Sequence, residues 1–329
     1  MSSPLAFRPL SRLAWLTLGW NILVILWGAV VRATGSGAGC GAHWPTCNGS
    51  VVPLDPSMGT LIEYSHRLTS GVALLLVSAL LYQVLRYRGA GHVARFWAAA
   101  SMVLILSEAA LGAGLVLFER VAGDASIARG YWISGHLVNT FLLLAALTLT
   151  ARFVDTSQRS ASGGLIGSLR ASFGTETPGL PALVAVLALV ATGISGAIAA
   201  LGDTLFKAST LREAIAQDFS SASHIFLRLR ILHPMIAVIG GGVALGLAYR
   251  TLNAQSVRPG ARKRALGLAA LVVTQWFLGL ANVVLLAPTW LQIVHLLVAD
   301  LIWMTLVLTL ADPEETPPAT TSAPPVLAS

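Results

Sequence analysis

The sequence predicts an all-α integral membrane protein, with eight transmembrane helices in two pseudo-symmetric four-helix bundles and both termini cytoplasmic. Three observations predict it. Of 329 residues, 55% are hydrophobic and 11% charged, whereas a soluble domain carries about 25% charged residues; mean hydropathy is +0.75. Eight runs each reach the roughly 20 apolar residues that cross a bilayer. Polar residues also recur at matching places in the first four and last four runs.

The first span, Leu13–Ala33, is too long for a signal-peptide core and lacks a small-residue cleavage pattern, so it reads as a retained helix. Arg32 sits at its outer end. Leu61–Leu85 carries Glu63 and His66, Phe96–Phe118 carries Glu108, and Tyr131–Phe153 carries His136 and Asn139. Residues 1–153 thus make the N-terminal bundle. Residues 154–178, with SASGGLIGS, read as a flexible cytoplasmic linker. Leu180–Leu201, Leu227–Tyr249 with His233, Ala265–Leu286 with Gln275, and Leu291–Leu310 with His295 and Asp300 complete the second bundle, residues 179–311. Residues 312–329, rich in Pro, Thr and Ala, read as a disordered cytoplasmic tail.

Basic residues set the orientation in the cell membrane, because short cytoplasmic loops carry the Lys/Arg excess. Arg8, Arg12, Arg86, Arg88, Arg95, Arg152, Arg159, Arg170, Arg250, Arg258, Arg262, Lys263 and Arg264 fall on one side. Fewer, including Arg120, Arg129, Lys207 and Arg212, fall on the other. The net charge of +7 reflects a basic belt facing anionic lipid, and no nucleic-acid signature is present. Cys40 and Cys47 are the two cysteines, both in the first outer loop. On the oxidising side such a pair suggests a disulfide, although the spacing also suits a metal or redox pair. In the third outer loop, Thr210 and Glu213 make a capping box. Leu211, Ile215 and Phe219 share one face of a short surface helix that covers an opening in the second half.

Four of the seven histidines lie inside spans, on the second, fourth, sixth and eighth, each about 6–9 Å below the outer boundary. Ionisable groups in a membrane are costly and are functional candidates. A single such histidine is more simply packing glue between helices, but four at matched depth point to axial ligation of haem iron. The pairs are His66 with His136, and His233 with His295. Zinc or copper is a weaker reading, because no further ligands cluster at that depth. His43, His92 and His224 read as solvated or interfacial loop residues. Glu63, His66 and Arg67 share one side of a helix, so Glu63 is a proton acceptor, a ligand-orienting group or an ion-pair partner. Arg230 holds the matching place in the second half, which suggests chemistry in the first half and a retained cofactor in the second. Arg32, Arg67, Arg228 and Arg230 are candidates to bind haem propionates. Glu108 and Gln275, at matching places, read as packing or proton-path groups.

Through GAVVRATGSGAGC, HWPTCNG, TLIEYSHRLTSG, SGHLVNTFLLL, LHPMIAVIGG and LQIVHLLVADLIW, from Trp20 to Leu310, the chain resembles the haem A synthases. That resemblance implies oxidation of a haem O methyl group to a formyl group by successive hydroxylations, for cytochrome c oxidase. It implies that His66 and His136 ligate the substrate haem, that His233 and His295 ligate haem b, and that Glu63 takes part in catalysis. It also implies a Cys40–Cys47 disulfide; a second cysteine pair, found in the third outer loop of some relatives, is absent here. The expected partners are haem O, the lipid bilayer, an electron donor, haem O synthase and a further copy of the chain. The rival readings are a diheme electron-transfer cytochrome and, from the repeat, a transporter with groups nearer the midplane.

Overall fold

Eight helical stretches long and apolar enough to cross a membrane organise the computed structural model, which describes residues 7–156, 164–173, 179–254 and 259–311. The helices are α1 (Phe7–Ala33), α2 (Met58–Tyr87), α3 (Val93–Leu117), α4 (Ile127–Phe153), α5 (Gly164–Phe173), α6 (Leu180–Leu205), α7 (Leu211–Phe219), α8 (Ile225–Arg230), α9 (Leu232–Leu252), α10 (Pro259–Val284) and α11 (Thr289–Leu310). Helices α8 and α9 together make one span. Among the described residues no strand forms. That suits a bilayer, where backbone groups must find partners within their own segment.

Helices α1 to α4 pack in a ring, and α6, α9, α10 and α11 pack in a second ring. The rings meet where α4 touches α6 and α11, and where α1 touches α11. The fourth helix is the most enclosed of the spans. Its Leu144 and Leu147 are fully buried, and Phe141 stacks on Trp303 of α11 with centroids 4.9 Å apart. The Trp303 indole N–H donates to the Phe141 carbonyl at 2.7 Å, satisfying the one polar group of a ring that is otherwise core.

Local chemistry sets the helix starts near the outer loops. Ser57 caps α2 by accepting the Thr60 N–H at 3.1 Å, and Ser126 caps α4 by accepting the Arg129 N–H at 3.3 Å. Pro234 has no N–H and its ring opposes the carbonyl four residues back. That carbonyl belongs to Arg230, where α8 ends. The sixth span therefore breaks one turn above His233.

Three expectations need correction. The segment read as a flexible linker contains α5, which docks on α3. Ser168 and Ser172 are buried, Trp97 Nε1 donates to Ser172 Oγ at 2.8 Å, and Phe173 meets Trp97 edge to face. The aromatic and serine contacts outweigh the loop-like composition. The rest of that segment, 157–163 and 174–178, lies outside the described residues, as does the tail at 312–329. The histidines also lie farther from their helix starts than expected, about 9–14 Å along the span from its first residue, because the helices begin before the apolar runs. Finally, the capping box is shifted: Thr210 accepts the Glu213 N–H, but the Glu213 carboxylate returns to Ser209 N at 2.8 Å rather than to the cap residue.

Candidate functional site

The second helix carries the acidic side of the site. Glu63 is 3% exposed. Its Oε2 accepts the Cys40 backbone N–H at 2.8 Å, and its Oε1 pairs with Arg67 Nη2 at 2.5 Å. Arg67 Nη1 donates onward to the carbonyls of His43 and Thr46. Cys40 and Cys47 form a disulfide, and that bridge closes the turn whose backbone grips Glu63 and Arg67. The loop lies directly on α2. A Cβ on Gly39 would fall 2.5 Å from the Gly59 carbonyl carbon, so only glycine permits the approach that lets Thr60 Oγ1 donate to the Gly39 carbonyl at 2.8 Å.

All four span histidines line one cavity of about 1930 Å³, together with Arg32, Glu63, Arg67, Arg129, Arg230 and Asp300. Single small-molecule sites run to about 300–1,000 Å³, so this space suits more than one large occupant. His66 and His136 line the part of the cavity within the first ring, and His233 and His295 the part within the second. Each imidazole rests on a glycine of the preceding span. A Cβ on Gly28 would lie 3.2 Å from His66, on Gly112 3.5 Å from His136, on Gly196 3.0 Å from His233, and on Gly279 3.4 Å from His295.

Their polar partners differ. Nδ1 of His136 pairs with Glu108 Oε1 at 2.9 Å. Nδ1 of His233 meets Ser195 Oγ at 3.0 Å, and Nε2 of His295 meets Gln275 Nε2 at 3.2 Å. The buried Nδ1 atoms of His66 and His295 have no hydrogen-bond partner among the described residues. These features fit a planar metal macrocycle. The imidazoles face one shared cavity, each packs on a glycine, and the Nδ1 atoms of His66 and His295 remain without a partner among the described residues. Among the described residues no three His, Cys, Asp or Glu side chains gather to hold a bare ion.

The candidate arginines sort differently from the sequence expectation. Arg32 spans the two rings: Nη1 donates to the Ala200 carbonyl and Thr204 Oγ1, and Nη2 donates to Gln292 Oε1. Arg230 is bound to Asp203 at 2.7 Å and to Asp218 of α7 at 2.5 Å, so α7 closes over the second ring. Its Leu211, Ile215 and Phe219 line the cavity, as the expected cover. Arg228 is exposed and does not line the cavity, because its place one turn before the Pro234 break points it elsewhere.

Two residues escaped the sequence reading. Glu108 had been read only as packing or proton path, and its histidine partner lies on another helix. Arg129 had been read as an outer-loop charge, yet it is 3% exposed, lines the cavity, and has an Nε without a partner among the described residues. Its Nη1 donates to the Ala122 and Asp124 carbonyls. Burial works against ionisation of Asp124 in that loop. Hydrogen bonds from the Ser126 backbone and hydroxyl, with Arg120, nonetheless hold its carboxyl below the usual range.

Residues 11–307 match the COX15-CtaA family, cytochrome oxidase assembly protein. A protein of Thermus thermophilus named protoheme IX farnesyltransferase is 46% identical over 304 residues, covering 92% of this chain and 48% of that protein. Proteins named heme A synthase are 39% identical over 142 residues in Shouchella clausii, covering 43% of this chain and 46% of that protein, and 34% identical over 152 residues in Bacillus cereus, covering 46% and 47%. The chain thus spans about half the length of the curated relatives it matches. With nearly its whole length matched, the chain belongs to the COX15-CtaA family of cytochrome oxidase assembly proteins.

Proposed function

We propose that the chain is a haem A synthase, oxidising a methyl group of haem O to a formyl group. The observation that carries this reading is the buried carboxylate of Glu63 set beside one of two imidazole pairs around a shared apolar cavity. In this reading His66 and His136 hold haem O as substrate in the first ring. His233 and His295 hold haem b in the second, where the bound group supplies electron transfer. The glycine beneath each imidazole lets that ring lie flat against the neighbouring helix. Arg67 and the Cys40 N–H hold the Glu63 oxygens in place at the cavity wall, so a positioned carboxylate stands on the substrate side to accept a proton released there. Arg67 and Arg129 face the propionates, with Arg32 behind them between the rings. The names of the Bacillus cereus and Shouchella clausii relatives support the activity.

The same reading places the chain in the cell membrane with both termini cytoplasmic, supported by the basic residues of the inner segments. It also names a haem-farnesylating enzyme as partner, supported by the longer Thermus thermophilus relative, whose printed name is that of such an enzyme. A diheme electron-transfer cytochrome would need the imidazoles but not the clamped Glu63.

The test is haem extraction and chromatography after expression with a source of haem O, comparing the parent with Glu63→Ala. The parent is expected to yield the alcohol intermediate and haem A. The variant is expected to retain haem but accumulate haem O or the alcohol. A parent that loads both haems and leaves haem O unchanged would establish the cytochrome instead, and unchanged haem A output from the variant would remove Glu63 from the chemistry.

A further inference from the structure

Among the four span histidines, His136 meets a carboxylate. Glu108 is held for that contact from several directions. Thr140 Oγ1 donates to its Oε1 at 2.5 Å, and Asn139 Nδ2 donates to its Oε2 at 2.6 Å. Asn139 is fixed in turn, because its Nδ2 also reaches the Leu104 carbonyl at 2.9 Å and its Oδ1 accepts from Ser107 Oγ at 2.6 Å. Five residues of α3 and α4 thus build a polar nest inside an apolar bundle, with one ring nitrogen at its centre. In the other ring Gln275 carries no charge and meets His295 at the opposite ring nitrogen, Nε2. His233 meets a hydroxyl, and the Nδ1 of His66 meets nothing polar among the described residues.

We propose that Glu108 is a positioning residue that makes His136 the strongest electron donor of the four imidazoles; this rests on the haem-binding reading above. Glu108 accepts the Nδ1–H of His136, which fixes the tautomer and leaves the Nε2 lone pair, over Gly112, for iron. A charge-assisted hydrogen bond of this kind is roughly twice as strong as a neutral one. It also raises the basicity of the ligating nitrogen. A more basic axial ligand stabilises the ferric over the ferrous state. The first-ring haem is therefore held at a lower potential than the second, where the Nδ1 of His233 meets an uncharged hydroxyl and that of His295 meets no polar group among the described residues. Were the nest only packing, removing the charge would weaken the fold and leave the iron untouched.

The experiment is a spectroscopic redox titration of the full-length, haem-loaded protein as parent, Glu108→Gln and Ser195→Asp, which sets a carboxylate at the Nδ1 of His233. Glu108→Gln is expected to keep its haem and shift one ferric/ferrous equilibrium about tenfold toward ferrous, about 59 mV for a one-electron couple. Ser195→Asp is expected to move the other haem in the opposite direction by a similar amount. A haem-loaded Glu108→Gln with both potentials unchanged overturns the proposal. If that variant does not load, Ser195→Asp decides, and an unchanged potential there overturns it equally. A parent without any bis-imidazole haem signal counts instead against the underlying reading, so the two failures are told apart.

Discussion

Gly28, Gly112, Gly196 and Gly279 do more for the site than their lack of a side chain suggests. At Gly28 and Gly196 the nearest imidazole atom stands 3.2 and 3.0 Å from where a Cβ would be, closer than the ~3.5–4.0 Å optimum for packed heavy atoms. A branched side chain there must turn the ring out of line. Gly196→Val is expected to displace His233 and halve the haem content while leaving the first-ring haem in place. Gly28→Val should do the reverse, with the two losses separated by the spectra of the remaining haem. Full haem content with parental spectra in both variants would show that the glycines are incidental. None of this was legible beforehand. The chain has 31 glycines, and nothing local marks these four. The histidines stood out because charge is rare in a span, whereas their glycine partners are defined only once helices are paired. Glu108 was visible as an intramembrane acid, but its tie to His136 depends on how α3 and α4 face each other.

Helix ends shape what the helices present. Pro234, four residues after Arg230, breaks a span that the sequence reads as continuous from Leu227 to Tyr249, and the break lets Arg230 reach both Asp203 and Asp218. The start of α4 depends on a loop network. Asp124 accepts from the Ser126 backbone N–H at 3.0 Å and from its hydroxyl at 2.8 Å, and Ser126 in turn caps the helix that carries His136. A carboxyl whose folded-state pKa is depressed contributes stability above its unfolded value, and that contribution is lost as pH falls through the folded value. Acidification below the ordinary Asp124 value of 3.8 should therefore loosen the first turn of α4. Amide hydrogen exchange at residues 124–130 is expected to speed up as pH drops through that range, beyond the intrinsic pH effect, and Asp124→Asn should abolish the extra change. Uniform protection in both proteins would count against the cap. The apolar cores of the spans were legible from length and hydropathy alone. Their outer ends were not, because capped polar turns such as Met58–Thr60 continue the helix past the apolar run.

The two rings are bolted together by groups that belong to neither alone. Arg32 leaves α1 and ends on α6 and α11, while Trp303 of α11 bonds the backbone of α4. Hydrogen bonds to charged groups contribute about 1.5–3 kcal/mol each, and removing the guanidinium takes away the donor that Gln292 Oε1 has. Arg32→Ala is expected to lower the unfolding temperature in detergent by several degrees, whereas Arg228→Ala, on the exposed side, should leave it unchanged. Equal stability of the two variants would argue that the rings are joined by apolar contact alone. Sequence alone places Arg32 at one ring's edge as a propionate candidate, since a side chain's reach across a bundle is not written in its own helix. The undivided cavity has a practical corollary. If two haems occupy it as proposed, no partition among the described residues keeps each on its own side, so sorting falls to the fittings at each berth: an acid-backed imidazole and a clamped carboxylate in one, an amide, a hydroxyl and a helical cover in the other. Swapping those fittings, rather than rebuilding any wall, is the route by which such a chamber exchanges its guests.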